Sequence, residues 1–310
     1  MKKYDVTALG ELLVDMAEGP ASNQGNMTFE ACPGGAPCNV LSLLAKAGHK
    51  TAFIGKVGDD FLGHMLSSVI EELGIDTTGL LYDRDTKTTL AFLHKKADGD
   101  RCFSFYRKPG ADMMLRPEEV NRELIINSEI FHFGTLSMTS KEVRAATKGA
   151  VMCAKENGVL VSFDPNLREP LWDTLEDAKE QMLWGIENCD ILKISDNEVE
   201  FVTGRNDIEE GLEKIKAMTS ASLVFVTLGS NGSIASNGAV TVKRPGVKME
   251  TIVDTTGAGD TFFGTALHYI LKHGLELNEN EMAELLEMAN RTAAKITQVK
   301  GALKVMPEIL

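Results

Sequence analysis

The chain has 310 residues, 43% of them apolar and 25% charged, with a formal net charge of −13. That is enough apolar material for one large core, or for a core with a small appendage, and the acid excess without a basic patch argues against binding nucleic acid by phosphate neutralisation. No stretch supplies the about 18 consecutive apolar residues of a membrane span, and Cys32, Cys38, Cys102, Cys153 and Cys189 form no C-x-x-C pair that would suggest zinc or a disulfide framework.

Met-Lys-Lys-Tyr-Asp opens the chain with no apolar signal-peptide core behind it, which with the cysteine pattern leads us to expect a reducing, cytoplasmic setting. Residues 4–10 are predicted as a strand and 37–47 as a helix, with Pro37 suited to the first turn and Gly48 to the stop. Residues 51–57 follow as a strand and 61–73 as a helix. From about 80 to 106 the residues alternate and are rich in Thr, Leu and Phe, with a turn at 97–100, a pattern of antiparallel hairpins.

From residue 130 onward, short apolar strands at 130–133, 159–163, 191–192 and 223–227 alternate with helices at 141–156, 175–187 and 208–218. Two last helices are expected at about 258–273 and 279–298. Such alternation predicts an α/β fold with a mostly parallel central sheet flanked by helices. We expect one domain over 1–310, with a small β-sheet lid built from about 11–30 and 85–108 that covers a substrate cleft and excludes water.

The most informative stretch is Asp254-Thr255-Thr256-Gly257-Ala258-Gly259-Asp260, which runs into the apolar helical pattern Phe262, Phe263, Ala266, Leu267, Ile270, Leu271. Glycines let successive N–H groups turn toward one point, and a helix N-terminus adds unpaired N–H donors, so Gly257, Ala258 and Gly259 suit an anion. Asp260 beside them suits removal of a hydroxyl proton during phosphoryl transfer; the competing reading is an ordinary helix cap. Gly34 and Gly35 allow a small polar ligand close to the backbone, and Asn39, one turn into a helix, offers a donor and an acceptor to a sugar hydroxyl; an ordinary loop with Asn39 solvated is the alternative. Asn197 and Glu200 are three apart on a helix and can order water around Mg²⁺, though a solvated helix start has the same pattern. Thr227, Gly229 and Gly232 follow a strand, where open parallel sheets bind ligands, and equally form a β-turn. Arg107 closes the β excursion and would point into the sugar cleft, while Arg168 would reach a phosphate with paired donors; surface salt bridges are the alternative for both.

Asp-Thr-Thr-Gly-Ala-Gly-Asp-Thr-Phe resembles the C-terminal signature of the ribokinase-like sugar kinases, the PfkB family. Gly-Gly-Ala-Pro-Cys-Asn from Gly34, ending at Ala47-Gly48-His49, resembles the N-terminal signature. The resemblance covers nearly the whole chain. It implies a ribokinase-like fold and an ATP- and Mg²⁺-dependent sugar kinase. It further implies that Asp15 binds sugar hydroxyls, Lys193 and Asn166 lie toward the nucleotide, and Asn290 lies near adenine or ribose. Asn197 and Glu200 match the family's Asn-x-x-Glu motif. Asp254 and Thr256, with backbone from about 296 to 301, resemble a monovalent-cation loop for K⁺. This chain has Val299 and Met306 where some relatives have Arg and a small polar residue, and a loop held by its own hydrogen bonds is the alternative.

Phe-Tyr-Arg-Lys-Pro-Gly-Ala-Asp from Phe105 and Asp-Pro-Asn-Leu-Arg-Glu-Pro-Leu-Trp from Asp164 resemble bacterial fructokinases, and 2-keto-3-deoxygluconate kinases carry similar strings. Fructose converted to fructose 6-phosphate is the leading expectation, with ribokinase and nucleoside kinase further behind. A dinucleotide-dependent oxidoreductase would need G-x-G-x-x-G after the first strand, where Gly10 is followed by Glu-Leu-Leu-Val-Asp. A non-catalytic sugar sensor would not need Asp260. A homodimer through the lid is the expected assembly.

Overall fold

The computed structural model describes residues 2–95 and 101–309, so the turn expected at 97–100 lies outside the described residues. Apolar runs too short for helices form strands β1 (Tyr4–Leu9), β4 (Thr51–Gly58), β5 (Ile75–Asp83), β8 (Ser128–Gly134), β9 (Leu160–Asp164), β10 (Ile191–Ser195), β11 (Leu223–Thr227), β12 (Ser233–Ser236) and β13 (Thr241–Arg244). They make one sheet in the order β13-β12-β11-β10-β9-β8-β1-β4-β5. Neighbours from β11 to β5 are parallel, and only the β11-β12-β13 edge is antiparallel.

Both faces of the central parallel strands are covered, which is why β4, β9, β10 and β11 are buried along most of their length, while the edge strands β5 and β13 are only partly so. Alternate residues serve different cores: Val224 and Val226 of β11 join one, Leu223 and Phe225 the other. The first core is closed by α4 (Lys141–Glu156), α5 (Leu175–Asn188), α6 (Asp196–Thr203) and α7 (Ile208–Met218). The second is closed by α1 (Ala36–Lys46), α2 (Phe61–Glu72), α8 (Ala258–His273) and α9 (Glu279–Ile296), through Leu41, Leu66, Phe263 and Leu285. Beyond α9, the carbonyls of Leu303 and Met306 accept hydrogen bonds from Ser42 Oγ and Lys46 Nζ of α1, both at 2.7 Å.

A second sheet, in the order β3-β2-β6-β7, is built from β2 (Leu13–Glu18), β3 (Phe29–Gly34), β6 (Leu90–Lys95) and β7 (Arg101–Tyr106). Its pairing puts Asp15, Cys32, Ala91 and Phe105 on one face and Met16, Ala31, Phe92 and Ser104 on the other. Phe92 has its ring centroid 5.1 Å from both Phe29 and Tyr106, making an aromatic strip on the latter face. Residues 80–83, expected to begin the hairpin excursion, instead end β5, the parallel edge of the large sheet. The alternation of a half-exposed edge strand is the same as that of a hairpin strand, so the pattern could not separate them.

Candidate active site

Chain order along the large sheet reverses between β1 and β8, and a crevice opens beyond the C-terminal strand ends at such a reversal. Glu11 follows β1 there, Thr135 follows β8, Asn166 follows β9, and Ser195 and Thr227 end β10 and β11. The turn before α8 faces the same crevice. Gly257 is its N-cap with φ 77°, and a Cβ at this position would lie 2.5 Å from that of Ala302, so glycine is required by both backbone and space. The first-turn N–H groups of Gly259 and Asp260 have no preceding-turn carbonyl to bond, while that of Ala258 reaches the Thr255 carbonyl at 3.3 Å.

Asp260 does not cap the helix. Its carboxylate, 7% exposed, accepts from Asn39 Nδ2 at 2.7 Å and from Asn166 Nδ2 at 3.5 Å. Burial pushes its pKa up, opposed by the Asn39 hydrogen bond and by the charges of Lys193 and Arg168. Lys193, on β10, lies 3.0 Å from Asp164 Oδ2, and a Cβ on Gly259 would come 3.1 Å from its Nζ. Burial works against its charge, but Asp164, Glu198 and Asp260 outweigh that and keep Lys193 protonated. A fixed cation thus stands against the glycines of the α8 turn.

Asp15 of β2 lies against Gly34, whose missing side chain leaves room for the carboxylate. Burial pushes its pKa up to about 7, with Arg168 opposing and Asp254 and Asp260 adding. Gly35, with φ 130°, packs on the Glu11 carbonyl, and Asn39 follows in α1. Asp15, Gly34, Gly35, Asn39 and Asp260 therefore gather on one side of the α8 turn.

The other side is a cavity of about 800 Å³, within the usual range for ligand sites. Its walls include Asn166, Arg168, Lys193, Asn197, Thr227, Gly229, Gly232, Ala258, Gly259 and Asn290. Asn290 Oδ1 accepts from Ser233 and its Nδ2 donates to the Pro245 carbonyl, so it also braces the wall. A second cavity of about 10 Å³, lined by Glu11, His132, Asp164 and Asp260, shares the Asn166 wall.

Asp15, Gly34, Gly35, Asn39 and Gly257 sit beside these cavities without lining them, and Arg107, Glu200, Asp254 and Thr256 do not line them either. Arg107 is buried in an ion pair with Asp112 and donates also to Thr139 Oγ1 and the Leu136 carbonyl, so most of its donors are committed. Glu200 is exposed and is not on the cavity wall, so the helix brings Asn197 but not its expected partner; the carboxylates beside Asn197 on the wall are Asp196, which accepts from Asn197 N, and Glu198, which accepts from Leu167 N and caps α6 through Ser195. Asp254 accepts from Thr256 N, Thr256 Oγ1 and Gly301 N, a loop held by its own hydrogen bonds.

Residues 3–309 match the pfkB family of carbohydrate kinases. The chain belongs to that family. It is 40% identical over 309 residues to "Probable fructokinase-2" of Arabidopsis thaliana, covering 97% of this chain and 92% of that one. Its fold superposes with a TM-score of 0.90 on the fructokinase of Xylella fastidiosa with bound ATP, at 28% identity over 100% of this chain and 96% of the other. A double mutant of the Vibrio cholerae O395 fructokinase, in a fructose-, ADP- and potassium-bound form, gives a TM-score of 0.85 at 29% identity, covering 99% and 97%. For this pfkB kinase, sequence reasoning passed over Glu11, His132, Glu198 and the Asp112 partner of Arg107. A carboxylate between two apolar strands was the available signal for Glu11, and an imidazole inside an apolar strand for His132.

Proposed function

We propose that this kinase transfers the γ-phosphoryl group of ATP to a primary hydroxyl of fructose, giving fructose 6-phosphate. The observation that carries this reading is the position of Asp260: a buried carboxylate on the first turn of α8, between the Asp15–Asn39 cluster and the large cavity. Fructose would rest against Asp15, Gly34, Gly35 and Asn39. ATP would fill the cavity walled by Thr227, Gly229, Gly232 and Asn290, with its terminal phosphate toward Arg168, Lys193 and the Gly257–Asp260 turn. Asp260 removes the hydroxyl proton, and the amides and cations steady the charge on the transferring group. Arg107 supports the sugar side by tying β7 to residues 136–139.

Oxygen donors near the phosphate position fit Mg²⁺, which keeps several waters and binds with substrate phosphates. Asn197 would hold such a water from the wall, with the Asp196 and Glu198 carboxylates beside it, whereas Glu200 faces away; the ion would supply charge neutralisation. Asp254 and Thr256 would form the K⁺ loop, supported by the potassium-bound relative. Buried free Cys38, Cys153 and Cys189 suit a reducing cytoplasm. The aromatic strip of the smaller sheet supports a homodimer through that lid.

An ATP-coupled assay across fructose, 2-keto-3-deoxygluconate, ribose and adenosine tests the substrate, and fructose should give the highest kcat/KM. Asp260→Asn should lower turnover by ~10²–10⁴-fold while ATP still binds. Near-normal turnover in that variant removes Asp260 as the base.

A further inference from the structure

Asp260 is held by two carboxamides that come from opposite parts of the fold. Asn39, 4% exposed, projects from α1, and its Nδ2 donates to Asp260 Oδ2 at 2.7 Å. The Asn39 amide can face only one way, because a flip would set its carbonyl oxygen against a carboxylate. Its Oδ1 is buried and has no hydrogen-bond partner among the described residues. A buried, unpaired acceptor costs about 1–3 kcal/mol, so the bond to Asp260 holds the amide in this orientation at the expense of its oxygen.

Asn166 approaches from β9. It is the one non-glycine residue with a left-handed backbone among those described, at φ 45°. Asn tolerates that region better than most residues. Its Oδ1 accepts from Arg168 Nη1 at 2.8 Å, which fixes the amide so that Nδ2 faces Asp260 Oδ1 at 3.5 Å. The two carboxylate oxygens are therefore unequal. Oδ2 carries a short hydrogen bond, and Oδ1 a long one that leaves it open.

We propose that Asn39 and Asn166 clamp the Asp260 carboxylate and designate Oδ1 as the oxygen that takes the proton. The inference rests on reading Asp260 as the base. In the step, the sugar O–H bond breaks and its proton goes to Oδ1. The electron pair left on the sugar oxygen forms the new O–P bond as the bond from the γ-phosphorus to ADP breaks. Asn39 keeps Oδ2 engaged and the carboxylate plane fixed, and it is a positioning residue in addition to any sugar contact.

The charged and titratable groups around Asp260 are Lys193 on β10, Arg168 and Asp164 at the end of β9, Asp15 on β2, Glu11 after β1 and His132 on β8. Lys193 and Arg168 favour the ionised base, and Asp15 and Asp164 oppose it. Among the groups that offset burial, the Asn39 hydrogen bond is foremost. Removing that donor leaves a carboxylate that protonates at higher pH.

The test is the single-turnover rate against pH, with ATP saturating and the best sugar of the substrate panel. Wild type is compared with Asn39→Asp, Asn39→Ser and Asn166→Gly, each checked for a cooperative melt. In both Asn39 variants the acid limb should move up by about one pH unit, which is about a tenfold loss on that limb, with recovery toward high pH. Asn39→Ser keeps the question answerable if the added charge prevents folding. Asn166→Gly preserves the left-handed backbone and should lower the rate several-fold without changing the KM for ATP. A raised sugar KM with an unmoved acid limb in the Asn39 variants, or an unchanged rate in Asn166→Gly, overturns the clamp. Asp260→Asn, run alongside, separates the cases: if it turns over normally the base assignment fails, and if it is inactive while the other profiles stay unmoved, only the clamp fails.

Discussion

Glu11 sits just past β1 with 4% of its surface exposed, and its Oε1 accepts from Ala36 N at 2.8 Å. It therefore holds the entry of α1, beside the Gly34–Gly35 turn. Burial pushes its pKa from 4.5 up to about 7, with the hydrogen bonds to its own and the Ala36 backbone and the Arg107 charge opposing. The folded pKa is higher than the unfolded one. The stabilising contribution is thus complete below about pH 4.5 and is lost as pH rises through 7. Glu11→Gln keeps the acceptor and removes the charge. Its melting temperature should exceed that of wild type at pH 8, by a stability difference on the order of 3 kcal/mol. The gap should close near pH 4.5, and an equal melting temperature at both pH values would contradict a buried, ionising Glu11. Asp15 has the same sign with a folded pKa of about 7, so Asp15→Asn should behave alike in stability while losing sugar affinity.

At the scale of elements, the α8 turn carries the largest demand on a single backbone position. Gly257→Ala adds a methyl group 2.5 Å from the Ala302 Cβ and places a side chain at φ 77°. A cost of about 1–2 kcal/mol follows from the backbone alone, with a further loss of turnover as the amides shift. A melt and a rate measured together should both fall; a drop in neither would mean that the turn is not shaped by this glycine. This turn was legible in the sequence because its chemistry is local: glycines, an acid and an apolar helix in one run. The parallel strands were legible for the same reason, since burial on both faces leaves a continuous apolar run. Pairing between distant segments was not. The pairing of β5 residues 80–83 with β4 and the Asp164–Lys193 pair join segments that no periodicity connects. The Asn197–Glu200 expectation used helix spacing, but the wall face of α6 carries Asn197, Glu198 and Phe201, and spacing alone does not say which residues face a cavity.

At the scale of the molecule, two cores on either side of one sheet hold a crevice that neither could form alone. The smaller sheet bears on that crevice through Asp15, and Lys300 pairs with Glu30 at 2.8 Å across to the segment after α9. Its aromatic strip of Phe29, Phe92 and Tyr106, the last 67% exposed, is the face we expect to meet a second copy. Sedimentation should find a dimer for wild type and a monomer for Tyr106→Glu, and a wild type that stays monomeric at high concentration removes this assembly. The clasp of Leu303 and Met306 on α1 has a consequence for synthesis. A nascent polypeptide halted at residue 300 already contains every side chain assigned to substrate, nucleotide or proton, yet it lacks the Ala302 wall against Gly257 and both anchors of α1. Competence should therefore arrive abruptly once Ala302, Leu303 and Met306 have left the ribosome and closed on Gly257 and α1.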